Sequence, residues 1–534
     1  MSFYLPTELL DKIFSSIDEN DIKTLHSCIL VNRVWCKTMI PYLWKRPFHL
    51  SIINQKEKIV PAYFPFFSKE AKHLLQLHIP PPTSPIFDYP IFLRELDFNE
   101  VYLLIKKWCD LNNNTTNKLI GFEVFKQRGR QTLLLLQELS KLFMLKCNKL
   151  EHLSLDTKSI RSGPYGSLVE CMSLTQFPGA SHCLAPLKKF VSRGLYDKDA
   201  IFRSMVHYCK NLDEMIIEDN DSTKSESLVA LITSQKKLRK FTIVKWWGSL
   251  SKILKSLGNQ CNSLIYVEIH GCHFYNYLDD SSTFDGLICC KNLKTLKIED
   301  CYNLTNNIMK PLGDTIFPKL CTLYFSNYMV IDDDLGDRSY QGIIQNNDQN
   351  LLDHPYLSLI AIIQNSNATL RNVRLNMDLV DYPNIISICA TYCPNITHYK
   401  ARVQNHSEMN QLLQLLKSCT QLEQLEITAE KWDSSVSIGL PWEIDLFFPE
   451  IGKLLPKTLK YFDIDGWSCT PLGLSNFLKN CNVDIKRMSW MCYISSADYL
   501  DVIEQYAKLK GRKVNGHREK KEWGLNLTLI VDFD

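Results

Sequence analysis

A six-residue phrase, Leu-x-x-apolar-x-apolar, returns along most of this chain, and that recurrence limits the possible folds more than any other feature. It occurs as LRELDF from Leu93, LIGFEV from Leu119, LEHLSL from Leu150, LKKFVS from Leu187 and LDEMII from Leu212. It continues as LRKFTI from Leu238, LIYVEI from Leu264, LKTLKI from Leu293, LCTLYF from Leu320 and LRNVRL from Leu370. The last copies are ITHYKA from Ile396, LEQLEI from Leu422, LKYFDI from Leu459 and IKRMSW from Ile485, and LLQLHI from Leu74 is a degenerate relative. Six of the intervals between successive starts are 26 residues long. Apolar side chains two apart predict a short strand with one buried face. Between phrases, SLVALITSQKKL, SKILKSLGNQCNSL, MNQLLQLLKSCTQL and LSNFLKNCN place apolar residues at three- and four-residue intervals, the spacing of a helix.

A strand–helix unit of this length cannot bury its apolar side alone; stacked neighbours must supply the core. The interval lies within the roughly 20–29 residues of leucine-rich repeats. The expected fold is therefore α/β: a curved leucine-rich-repeat solenoid over residues 93–534, its parallel sheet on the concave face. The copy LKTLKIEDCYNLT resembles the cysteine-containing subclass of these repeats, with Cys301 eight residues after Leu293, and Cys272 stands likewise after Leu264. The long interval from Leu320 to Leu370 holds the acidic, polar run Asp332 to Asn350, expected as an inserted loop. Residues 49–92, with the proline-rich IPPPTSPIFDYP from Ile79, are expected to form a linker and a degenerate first repeat.

The first 48 residues are of another kind. Pro6 suits the first position of a helix, and Glu8 faces its positive end. Leu10, Ile13, Phe14 and Ile17 recur at helical spacing, Asp18-Glu19-Asn20-Asp21 can cap a second helix with Ile22, Leu25 and Ile29, and a third runs from Asn32 to Leu43. Pro41 is expected to kink that helix or end it early. Three helices in so short a stretch bury little surface, so an apolar partner is expected.

Leu5-Pro6, Glu8, Leu9, Leu10 and Ile13-Phe14, then Cys28, Leu30, Val31, Asn32, Trp35, Cys36, Ile40-Pro41, Leu43-Trp44 and Pro47 together resemble an F-box. With the repeats, nearly the whole chain resembles the F-box/leucine-rich-repeat proteins, and FDYPIFLRELDF from Phe87 is similar in style to the expanded F-box families of fungi. The resemblance implies a non-catalytic substrate-recognition subunit of a Skp–cullin–F-box E3 ubiquitin ligase. Its F-box, residues 1–48, would dock on a Skp-type adaptor and through it on a cullin–RING ligase, while the solenoid binds a client protein. By resemblance the adaptor contacts would be Leu5, Pro6, Glu8, Leu9, Leu30, Val31, Trp35 and Trp44. The alternative is a non-catalytic leucine-rich-repeat interaction scaffold working outside a ligase.

In the repeats, the third, fifth and seventh residues of each phrase are expected to point outward and meet the client. Asn372, Arg374, Asn376, His398, Lys400 and Arg402 then make a positive patch, and Gln424, Glu426, Thr428, Tyr461, Asp463 and Asp465 a negative one beside it. Such neighbouring patches orient a partner more than they tighten it.

The rest of the sequence narrows the classes. A formal charge of +3 over 534 residues gives no reason to expect nucleic acid or membrane as a partner. The start, MSFYLPTELLDK, lacks a basic and apolar secretion signal, so the protein is expected in the cytoplasm, the nucleus or both. There is no GxxxxGK[ST], HExxH or GxSxG, and no cofactor is expected. Among nineteen cysteines, Cys147, Cys209, Cys261, Cys290 and Cys419 each precede a leading Leu by three residues, and Cys393 precedes Ile396 likewise. That is a repeat register, expected of small core side chains. Cys389, Cys393 and His398 mimic metal spacing, but two lie on a helix and the third on an outward strand position. Lys126, Arg128 and Arg130 form a basic cluster expected in a solvated loop.

Overall fold

The computed structural model describes residues 5–49, 56–75, 85–112, 122–156, 174–194, 198–219, 225–274, 279–328, 354–377, 384–403, 405–429, 442–492, 496–521 and 527–533. The chain divides into two units, Met1–Gly248 and Ser249–Asp534.

The first unit opens with three helices, α1 (Thr7–Ser15), α2 (Ile22–Ile29) and α3 (Arg33–Leu43). Asp21 starts α2 by accepting the Thr24 N–H at 3.1 Å, and Asn32 starts α3 by accepting those of Val34 and Trp35 at 2.9 and 3.0 Å. Each cap satisfies donors that the first helical turn leaves orphaned. Helix α3 does not stop early at Pro41; it continues through it and closes with the Trp44 N–H on the Ile40 carbonyl at 3.0 Å. A proline two residues from a helix end forfeits a single backbone bond, which the last turn tolerates. Leu10, Phe14, Leu25, Cys28 and Met39 form the core of this module, with the Trp35 ring edge-on to Phe14 at 5.2 Å.

Five strands follow: β1 (Glu95–Asp97), β2 (His152–Asp156), β3 (Lys189–Arg193), β4 (Glu214–Glu218) and β5 (Lys240–Val244). Each pairs in parallel with the next, in chain order. Every one begins two residues after a leading Leu, and Leu93, Leu150, Leu187, Leu212 and Leu238 are all fully buried. The phrase at Leu119 is the exception. β1 pairs directly with β2, and the chain between them carries helices Phe98–Asn112 and Phe122–Lys146. Leu135, Leu136, Leu139 and Phe143 are buried along the second helix, and this helical stripe takes Phe122 to Val124 into the same element. The cluster Lys126 to Arg130 accordingly sits on a helix rather than in a loop. At the degenerate copy, Leu74 ends the helix Lys69–Leu74, and residues 76–79 lie outside the described residues.

In the second unit β6 (Tyr266–His270), β7 (Thr295–Tyr302), β8 (Thr322–Tyr328), β9 (Asn372–Leu375), β10 (His398–Arg402) and β11 (Gln424–Thr428) again pair in parallel. After a two-residue strand, β12 (Trp442–Glu443), come β13 (Tyr461–Ser468) and β14 (Arg487–Cys492); β13 pairs in parallel with both β11 and β14. β8 neighbours β9, so the interval from Leu320 to Leu370 spans one repeat; the acidic run Asp332 to Asn350 lies outside the described residues. The parallel pattern fails at the end. β15 (Val514–Lys521) and β16 (Leu527–Phe533) pair antiparallel, and β16 pairs antiparallel with β14. Only five residues connect them, too few for the crossover that a parallel neighbour requires. The outermost strand, VNGHREKK, is charged, which blunts an exposed edge.

The fold is thus α/β and of leucine-rich-repeat type, with buried and half-buried positions alternating along β2, β6, β10 and β11. The cysteines of the repeat register lie where one repeat meets the next. The thiol of Cys147 donates to the Leu93 carbonyl at 3.1 Å, that of Cys209 to Leu184 at 3.4 Å, and that of Cys419 to Cys393 at 3.4 Å.

Candidate functional site: an apolar helical face and a charged sheet face

Helix α1 carries two apolar stripes. Leu10 and Phe14 point inward, whereas Leu9 and Ile13 stay exposed, continuing a line begun by Leu5. At the α2–α3 turn Leu30 is 72% and Val31 56% exposed, and Val34 in the first turn of α3 is exposed too. Six large apolar side chains on one small module are a liability in water unless something covers them. Pro6 and Glu8 are exposed beside them. Trp35 and Trp44 are only half-buried, and both make ring contacts inside the unit. Trp35 meets Phe14, while Trp44 stacks on Tyr89 at 4.0 Å and meets Tyr63 edge-on at 5.7 Å. Ile13 and Val34 extend the exposed set beyond the adaptor contacts that the resemblance implies. Ile13 was legible as apolar, but only the packing shows that its neighbour Phe14 takes the inward place.

The module is joined to the repeats by backbone. The Lys45 carbonyl accepts the N–H groups of Arg94 and Glu95 at 3.0 and 3.2 Å, just as the Arg94 carbonyl accepts those of Glu151 and His152 at 2.8 and 3.0 Å. Lys45 therefore takes the place in the ladder that the second residue of a phrase takes elsewhere, with Trp44 in the leading position. Around it Lys45 and Arg46 pair with Glu19 at 2.7 and 3.2 Å and reach Glu95, which also meets His152 at 3.4 Å. Burial pushes the Glu95 carboxyl up, but the His152 hydrogen bond and the charges of His152, Arg46 and Lys45 outweigh it and hold the group below its ordinary value.

The second surface is the sheet face turned away from the helices in the second unit. Register places Asn372, His398, Gln424 and Tyr461 side by side in one row, and Arg374, Lys400, Glu426 and Asp463 in the next. Arg402 lies beside Thr428 and, one strand further, Asp465; Asn376 follows β9. The two patches therefore adjoin, but they are not separate pools of free charge. Lys400 forms an ion pair with Glu426 across the boundary. Asp463 accepts from the Ser489 hydroxyl at 2.7 Å, and burial, the largest influence, lifts its carboxyl above the ordinary value. Arg374 lies over the Tyr324 ring at 4.7 Å and reaches Glu299 at 3.9 Å.

Lys297, Glu299 and Tyr324 belong to this surface as well, although sequence reasoning left them out. The Lys297 ammonium lies between the Tyr266 and Tyr324 rings, at 5.5 and 4.8 Å. The signal was available: these are the fifth and seventh residues of the phrase at Leu293 and the fifth of that at Leu320. Cys389 and Cys393 are buried and His398 is on the outward face, its Nδ1 at 2.9 Å from the Thr397 hydroxyl. The Cys393 thiol donates instead to the Ile363 carbonyl at 3.6 Å.

These features define a leucine-rich-repeat fold, in which stacked strands form one extended sheet face. No family model and no curated protein matches the chain. Among solved structures it is similar to an internalin from Listeria monocytogenes at 10% identity and a TM-score of 0.26, over 64% of this chain and 81% of that one.

Proposed function

We propose that this protein is the substrate-recognition subunit of a Skp–cullin–F-box ubiquitin ligase, non-catalytic itself, working in the cytoplasm or nucleus. The observation that carries the reading is the exposed apolar set on the three-helix module, Leu5, Leu9, Ile13, Leu30, Val31 and Val34. These positions fall within the stretch that resembles an F-box, where a Skp-type adaptor would cover them. The second stripe of α1 has no role in the module's own core, so its apolar character calls for a partner. The sheet face of the second unit would then hold the client, through Arg374, His398, Lys400, Arg402, Glu426, Tyr461, Asp463 and Asp465. The ladder bonds at Lys45 would transmit a fixed orientation from the module to the first repeats.

The test is co-purification of the full chain with a Skp-type adaptor, comparing wild type with Leu5→Ala/Pro6→Ala. The proposal expects capture by the wild type and weaker capture by the variant. Equal recovery of both would end it. Capture of the adaptor without a cullin or client ubiquitination would instead favour the scaffold reading.

A further inference from the structure

Across β7, β8, β9 and β10 the charged side chains at the third, fifth and seventh places are strongly one-sided. They are Lys297, Arg374, Lys400 and Arg402 against the single carboxylate Glu299. Burial raises the Glu299 carboxyl above its ordinary value, and Glu268 of β6 stands beside Lys297 by register as a second carboxylate at the edge of this row. The fifth-place row reads Lys297, Tyr324, Arg374, Lys400, each beside the next by register. Lys297 has two tyrosine rings around it and no ion pair among the described residues. The next two strands, β11 and β13, carry Glu426, Asp463 and Asp465 at the same places and no cation. Between β10 and β11 the sign of the face therefore reverses, at the Lys400–Glu426 pair.

From this arrangement we infer that the face takes a two-signed peptide, its acidic block lying across β7–β10 and its basic block across β11 and β13. The inference rests on the proposed client-binding role of this face and specifies the client's chemistry. Strands lie about 4.8 Å apart, so four of them span roughly 14 Å. An extended peptide advances about 3.4 Å per residue, so an acidic block of about four residues, followed at once by a shorter basic one, matches the face. Tyr324 is the centre: a carboxylate above it meets Lys297 on one side and Arg374 on the other, with little water between because the rings cover the cations' flanks. The tyrosines also hold both cations in place before the peptide arrives, which lowers the ordering cost of binding.

The probe is a fluorescein-labelled peptide of four glutamates followed by three lysines, titrated with the full-length protein by anisotropy at low and at physiological salt. A second peptide carries the same residues in alternating order. The blocked peptide should bind at least tenfold tighter than the alternating one, and Lys297→Glu or Arg374→Glu should remove that difference. Lys297→Met, which keeps the stem against the rings, should retain the fold by circular dichroism and still weaken the blocked peptide severalfold. Equal affinity for the two peptides, or a blocked-peptide affinity unmoved by Lys297→Met, overturns the inference. Binding only when phosphoserines replace the glutamates overturns it too. Adaptor capture is read on the same preparations: its loss with peptide binding intact would count against the ligase reading alone.

Discussion

On the three-helix module, Leu5, Leu9, Ile13, Leu30, Val31 and Val34 meet solvent, and nothing polar about them is left to satisfy. On the outward sheet face of the second unit almost the reverse holds. Lys400 is paired with Glu426, Asp463 is bonded to Ser489, and Arg374 rests on Tyr324 and reaches Glu299. Apolar surface is non-directional and gains free energy against any shape-matched apolar partner, so a module of this kind suits one constant partner. Paired charges gain little in strength from a new partner but penalise a mismatched one, so the sheet face suits discrimination. On the proposed reading, one chain would thus separate affinity for a common subunit from choice among clients.

The sharpest way to break that contrast lies within α1. Phe14→Ala, which empties the module's core, should cost about 3–5 kcal/mol of stability. Hydrogen exchange across residues 7–43 should then approach that of an unfolded segment, and persistent protection would show that Phe14 is not the centre of the core. Leu9→Glu with Leu30→Glu should leave that protection unchanged, yet weaken adaptor binding by about 2 kcal/mol or more, roughly thirtyfold. A double-mutant cycle on Lys400→Ala and Glu426→Ala should give a coupling of at most about 1 kcal/mol, since both side chains keep contact with water. A much larger coupling would mean that the pair is structural rather than a boundary in charge.

Two pH effects refine the picture further. The Glu95 carboxyl is held below its ordinary value, so its contribution to the junction is present above the usual carboxylate range and is lost as pH falls through the lowered value. Glu95→Gln should flatten the acid limb of a thermal-melt pH series. Tyr42 behaves oppositely. Burial, then its hydrogen bond to Asp11 at 2.7 Å, pushes its hydroxyl up to about 12. Its contribution is complete below the ordinary tyrosine value and disappears as pH rises to about 12, so Tyr42→Phe should remove part of the alkaline loss of helicity.

Much of the architecture was legible because two periods coincide. Alternation within a phrase marks the strand, and the recurring interval marks the repeat, so each copy corroborates the others. Where only one signal was present the reading failed. LIGFEV at Leu119 has the phrase but is followed by a longer helical stripe, and tertiary burial of Leu135 to Phe143 decided for helix. The closing pair β15 and β16 lacks a leading Leu, and its outer strand is almost wholly polar after Val514. Lys45 was invisible for a different reason: a carbonyl has no side-chain signature, and its place in the ladder shows only in the folded chain. The charge rows fell between these cases. Outward places could be numbered from the phrase, but which charges would neutralise one another depended on register between strands.

The most direct test of the central claim is titration calorimetry of a purified Skp-type adaptor into the full-length protein, beside the Leu9→Glu/Leu30→Glu variant. Sub-micromolar, heat-capacity-lowering association of the wild type, lost in a variant that melts at the same temperature, is the expected result. Absence of binding by a correctly folded wild type, or equal binding by both, would contradict the claim.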